Sequence, residues 1–226
     1  MSDPPDNNDP DAGIDPRVRR TRTALLTAAV TAVTEHGSTE LSVTELADTA
    51  GVSRRVLYQH FGDLNGLLVT AAIELMTREM APAMTELARA TADAAAEHTV
   101  PMTEFATHFA THFATHRRFY RALLTGSCAY SVHRRMGELF APFSQAAARH
   151  LFGDLDDDLA TEIGTYFTAG TTMSFAAWLI DSPDPLDPQQ FVEHLNRIQT
   201  VLARTPPSAS APSTTLRTTT SARSQP

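Results

Sequence analysis

From Asp15 to Arg204 apolar residues recur at intervals of three and four, and no stretch shows the period of two that marks a half-buried strand. The first periodic segment opens at Asp15-Pro16, an N-cap residue followed by proline at the first helical position. It carries Val18, Leu25, Ala29 and Val33 on one face and stops near His36-Gly37. A second opens at Ser42 with Glu45 three residues on, a capping box, and ends at Gly51. A short third helix follows Ser53 as N-cap and runs to about Phe61, and a fourth starts at Asp63 and continues towards Met80. Beyond Pro82 the pattern predicts helices over 83–97, 102–115, 117–125, 131–152, 157–180 and 188–203. Pro101, Gly126, Gly153 with Asp154 to Asp158, and the Asp181–Asp187 loop separate them. The fold class expected is therefore all-α: three short helices over 15–62, then a bundle of longer ones over 63–204. Residues 1–14, acidic, and 205–226, rich in Pro, Ser, Thr and Ala, read as disordered tails.

The segment from Ser42 to Phe61, SVTELADTAGVSRRVLYQHF, has the dimensions of a helix-turn-helix. Ala47 is small where two helices must cross closely. Gly51 supplies the positive φ that ends the first of them. Leu46, Val52, Leu57 and Phe61 make a compact apolar interior. Arg54, Arg55, Tyr58, Gln59 and His60 are then left to face outward, all hydrogen-bonding types. The N-terminal residues of a helix lying in the major groove reach base edges, and arginine there can pair bidentately with guanine O6 and N7. Tyr58 and His60, and Thr44 at the start of the preceding helix, suit phosphate oxygens. The run Arg17, Arg19, Arg20, Arg22 precedes or opens the first helix. It reads either as an arm towards a groove or the backbone, or as a solvated charge run.

Charge supports the placement by its distribution. The formal net charge is −8, with all 18 basic residues arginine and no lysine. Residues 1–16 hold five Asp and no base, and residues 17–60 hold six Arg against four carboxylates, the only net-positive block. A local positive face acts within a screening length of about 8–10 Å, so the global sign does not decide the matter. The absence of lysine excludes a Walker A loop, a Schiff-base lysine and a lysine general base. No G-x-S-x-G, H-E-x-x-H, C-x-x-C or G-x-G-x-x-G is present, so an enzyme is not expected. The lone Cys128 forms no intramolecular disulfide and reads as a small helical filler, which suits the cytoplasm. No apolar run spans a membrane, and the acidic N-terminus does not resemble a signal peptide.

The stretches LLTAAVTAVTEHG, SVTELADTAGVS and VLYQHFGDLNGLL resemble the DNA-binding domain of the TetR family of transcriptional regulators. The resemblance spans residues 17–70. Further along, RRFYRALLTG and GTTMSFAAWLIDSPDPLDPQQFVEHL are similar only in outline. It implies a homodimer in which each three-helix head reads half of a palindromic operator in double-stranded DNA. It also implies that the last two long helices pair across the dimer and that a central cavity takes a small-molecule effector. Thr44, Ser53, Arg54, Arg55, Tyr58 and His60 lie where the family contacts DNA. One position departs: Leu64 stands where the family usually has lysine. The phosphate that a lysine would meet there is then either not held or held by backbone N–H groups at the helix start.

The repeat FATHFATHFATH places Phe105, Phe109 and Phe113 on one helical stripe and His108, His112 and His116 on the next. A His pair at i, i+4 is a workable zinc geometry, yet the sequence identifies no further ligand, and neither a metal nor a cofactor is expected. The stripe is otherwise pocket lining, or an amphipathic helix with Phe inward and His at the boundary. Candidate effector contacts are Phe105, Phe109, His112, Phe113, Tyr120, Met136, Phe140, Phe167, Met173 and Trp178, residue types that suit an apolar cavity and a tight core equally. Asp154 to Asp158 lack the spacing and glycine of a calcium loop and read as a helix cap. Three functions stay open on the residues alone: a ligand-responsive repressor, a ligand-binding or enzymatic bundle with a vestigial head, and an effector-independent regulator acting through a protein partner or as an activator.

Overall fold

The computed structural model describes residues 15–92, 99–153 and 155–204. The helices described are α1 (Pro16–His36), α2 (Val43–Thr49), α3 (Arg54–Phe61), α4 (Leu64–Ala92), α5 (Thr99–Thr115), α6 (Arg117–Thr125), α7 (Ala129–Phe152), α8 (Asp157–Asp181) and α9 (Pro188–Arg204). The two tails and part of the helix expected over 83–97 lie outside the described residues.

Local chemistry sets the first three helices. The Asp15 carboxylate accepts from the Arg17 amide at 2.8 Å and starts α1. Gly37, at φ 68°, ends α1 with its N–H on the Val33 carbonyl. Ser42 Oγ accepts from the Glu45 amide at 3.3 Å and caps α2. Gly51, at φ 67°, turns the chain into α3. Ser53 occupies the N-cap position of α3, but its hydroxyl makes no capping bond. Leu25, Ala29, Val33, Leu46, Ala47 and Leu57 are buried, with Val52 and Phe61 packed against them, whereas Val18 ends the apolar stripe outside the core.

The structure differs from the pattern at Pro82. Two helices were expected, divided there; α4 instead runs unbroken through the proline for 29 residues. Proline inside a helix costs about 3 kcal/mol through the missing donor and the clash with the preceding turn. On the same helix Leu75, Met76, Met80 and Leu87 are buried. Each contributes about 1.5–3 kcal/mol, so keeping the face in register outweighs the break. Pro101 likewise falls in the first turn of α5 and Pro142 inside α7.

α4 packs on α1, α5 and α7, α5 on α9, and α7 along α8. The core between them is aromatic: Phe113, Phe119, Tyr120 and Phe175 are fully buried, and the Phe113 and Phe175 rings lie 4.5 Å apart. Arg117 is buried here, 7% exposed. It donates to the carbonyls of Leu179 (3.0 Å), Pro183 (3.3 Å) and Ser182, and pairs with Asp184, holding the loop between α8 and α9. Cys128 is buried, and burial pushes its thiol up. Among the described residues no helix is long and apolar enough to cross a membrane.

The turn from α3 into α4 depends on Gly66. A Cβ there would sit 2.1 Å from the Phe61 carbonyl oxygen, a backbone atom with no rotamer to escape into. Gly66→Ala is expected to destabilise the head by at least about 2 kcal/mol, an overpacking effect read from chemical denaturation. A stability within about 0.5 kcal/mol of wild type would mean that the junction is looser than this packing.

Candidate functional site

α3 presents one face to solvent. Arg54, Arg55, Tyr58 and Gln59 are exposed and His60 is partly so, while Leu57 points into the core. Neither Arg54 nor Arg55 enters an ion pair among the described residues, so both guanidiniums extend unpaired from the first turn. Ser53, its hydroxyl unspent on the cap, and Thr44 at the start of α2 are exposed beside them. The arrangement joins two flexible bidentate donors to exposed hydroxyl and amide groups of α3 and of the start of α2. That is the chemistry that pairs with base edges and phosphate oxygens.

The arginines of α1 divide. Arg17, Arg19 and Arg20 are exposed. Arg22 is engaged: it pairs with Glu74 of α4 and lies over the Phe61 ring, 5.3 Å from its centroid. It locks α1 to the end of α3 and to the third turn of α4. At the α4 start, Leu64 packs against the core and the Asp63 carboxylate takes the Gly66 amide at 2.7 Å. That N–H is spent on the cap.

A cavity of about 400 Å³ lies between α5, α7, α8 and α9, with Leu87 of α4 also in its wall. Of the residues singled out from the sequence, Phe105, Phe109, Met136, Phe140 and Phe167 line it. Phe113, Tyr120 and Trp178 are packed behind it in the core, His112 belongs to a separate cluster, and Met173 is exposed on the outer side of α8. The wall also contains Ser144, Thr168, Thr171, Thr172 and His194, which the sequence pattern did not single out. They are small polar residues scattered over three helices, and no periodic signal links them before the helices are packed. The result is a mainly apolar chamber, rich in phenylalanine, with a few hydroxyls, one amide and one imidazole.

The histidine stripe splits as well. His108 Nδ1 turns back to the Glu104 carbonyl of its own helix, at 2.9 Å. His112 and His116 converge on Glu79 of α4: Oε2 lies 2.8 Å from His112 Nδ1 and 2.9 Å from His116 Nε2. Partial burial pushes the Glu79 carboxyl up, but the two imidazoles outweigh it and hold the group below the usual carboxylate range. Burial pushes His112 down, and the adjacent carboxylate only partly offsets this. Glu79 stands 33 residues from His112 in sequence, too far for any spacing rule to connect them.

Residues 25–71 match the family model of bacterial regulatory proteins, tetR family. Among solved structures the chain is similar to NalD, the secondary repressor of the MexAB-OprM multidrug efflux pump in Pseudomonas aeruginosa, with 21% identity and a TM-score of 0.54 over 83% of this chain and 97% of that one. It is also similar to a TetR-family regulator from Streptomyces coelicolor A3, with 19% identity and a TM-score of 0.51 over 84% of this chain and 98% of that one. At these identities the likeness is one of fold. No curated protein gives a significant match.

Proposed function

We propose, from the match of residues 25–71 to the tetR family of bacterial regulatory proteins, that the chain is a transcriptional repressor. It binds a palindromic operator as a homodimer and is released by a small, largely apolar molecule. The observation that carries this is the pair Arg54 and Arg55, exposed and unpaired on the first turn of the second helix of a helix-turn-helix. NalD, which shares the fold, is itself a repressor.

Two features support the rest. Leu159, Tyr166 and Met173 are exposed on α8 at intervals of seven, with Ile198 and Val201 exposed on α9. An apolar stripe of this kind, left uncovered by a single chain, suits a four-helix contact with a second copy. The cavity volume falls within the range of about 300–1,000 Å³ typical of small-molecule sites. In this reading residues 15–62 are the head, 63–204 the effector and dimer domain, and the protein works in the cytoplasm without turnover of its ligand.

The test is selection of random duplexes by the purified full chain, followed by titration of the winning sequence at several salt concentrations. A two-fold symmetric consensus is expected. Affinity should fall with a log–log slope of about −0.9 per neutralised phosphate. A consensus without symmetry, or an affinity indifferent to salt, would overturn the proposal.

A further inference from the structure

We propose that Glu79, His112 and His116 form a binding site for a divalent transition-metal ion of the zinc type, joining α4 to the junction of α5 and α6. The site stands independently of the DNA-binding proposal.

Ligand types and positions carry it. Two imidazole nitrogens and one carboxylate oxygen all lie within 4.8 Å of one another. Zinc bound by nitrogen and oxygen at about 2.0–2.1 Å in a tetrahedron sets its donors about 3.3 Å apart. The Oε2 contacts, at 2.8 and 2.9 Å, therefore need to open by about half an ångström, and the two imidazole nitrogens, within 4.8 Å, to close by up to about 1.5 Å, a movement open to His116, 25% exposed. The Glu79 side chain is 38% exposed and can rotate that far, while His112, 4% exposed, stays fixed. Arg78 approaches the other oxygen, Oε1, at 3.7 Å and leaves Oε2 to the imidazoles. The set N, N, O selects a borderline ion such as Zn²⁺ or Co²⁺ over Mg²⁺ or Ca²⁺. Three protein ligands leave the fourth position to water on the open Glu79 side.

The surroundings of His112 favour the same occupant. The Tyr120 hydroxyl donates to the Ala72 carbonyl at 3.1 Å, so its oxygen is free to accept from His112 Nε2–H at 2.9 Å. In the neutral ring Nδ1 then carries a lone pair, aimed at a carboxylate oxygen 2.8 Å away. Two lone pairs facing each other at this distance repel, so the contact needs a cation between them, either a proton, as in the hydrogen-bonded pair, or a metal ion. A buried partner on the remote ring nitrogen is also what metal-ligating histidines use to fix tautomer and orientation.

The experiment uses the full chain freed of metal with chelator and titrated with Co²⁺, read by its visible d–d absorption, then with Zn²⁺. Expected are one Co²⁺ per chain with the intense bands of tetrahedral coordination, their displacement by Zn²⁺, and a rise in melting temperature on binding. Glu79→Gln and His116→Ala, both at partly exposed positions that do not threaten folding, should each weaken binding at least about tenfold. Tyr120→Phe should weaken it by about 10–100-fold, and His108→Ala should leave it unchanged. Absence of tetrahedral bands would overturn the proposal and leave a Tyr120–His112–Glu79 hydrogen-bond relay only. Uptake undiminished by His116→Ala would place the metal elsewhere and overturn it equally.

Discussion

Arg54→Ala and Arg55→Ala are each expected to erase a guanine preference at one position of the operator half-site while leaving the fold intact. Both side chains project from the first turn of α3 into solvent without an ion pair among the described residues, so truncation removes no packing. A bidentate arginine–guanine pair discriminates by about 1–3 kcal/mol, roughly 5- to 150-fold per base. A symmetric dimer makes the contact twice, so the loss across the whole operator is about the square of that factor. Arg20→Ala offers the contrast. If Arg20 meets phosphate, affinity falls about equally on all sequences and the salt slope decreases by about two units, one per protomer. The measurement is duplex selection with the wild type and each variant. A consensus identical in Arg54→Ala and Arg55→Ala would show that α3 does not read bases through these residues.

The largest loss of stability is expected from Arg117→Met. The methionine fills much the same space but leaves the Leu179, Ser182 and Pro183 carbonyls without the donor they now share. Of these only the Leu179 carbonyl is buried, and left unsatisfied it costs about 1–3 kcal/mol; with the loop between α8 and α9 losing its anchor as well, the total is about 3 kcal/mol. In a chain of this size that lowers the melting temperature by about 6–12 °C. Asp184→Asn should cost less than about 1 kcal/mol, because Asp184 is 79% exposed and solvent screens its charge. A thermal midpoint for Arg117→Met within about 2 °C of wild type would mean that the carbonyls find water instead.

Much of this fold can be read from the sequence because its decisive signals are local. Asp15, Ser42, Gly37 and Gly51 act within one turn of their own helices, and they cap or break the chain where their residue types dictate. The outward face of α3 follows from Leu57 alone, since one buried position sets the rotation of an eight-residue helix. Pro82 misleads for the opposite reason: its effect is local, but the burial that overrides it comes from α1, α5 and α7. The cavity is legible only by half. Phe105 and Phe109 are visible as a stripe, yet nothing in the sequence distinguishes them from Phe113, which the same stripe sends into solid core. Glu79 is invisible until α4 lies against α5. Arg22 carries the same charge as Arg20 and is separated from it only by Glu74 and Phe61, which the fold brings beside it.

The unbroken α4 has a mechanical side. From Leu64, against the head, to Leu87, in the cavity wall, it is a stiff rod about 35 Å long at 1.5 Å per residue. A hinge at Pro82 would have absorbed a push at the far end; a continuous helix transmits it. Tilting the rod by about 5° moves its two ends by about 3 Å relative to one another, a quarter of the width of a major groove about 12 Å across. The proline that survives within α4 thus leaves the molecule with a long lever arm, whose fulcrum is wherever α1 and α5 grip it.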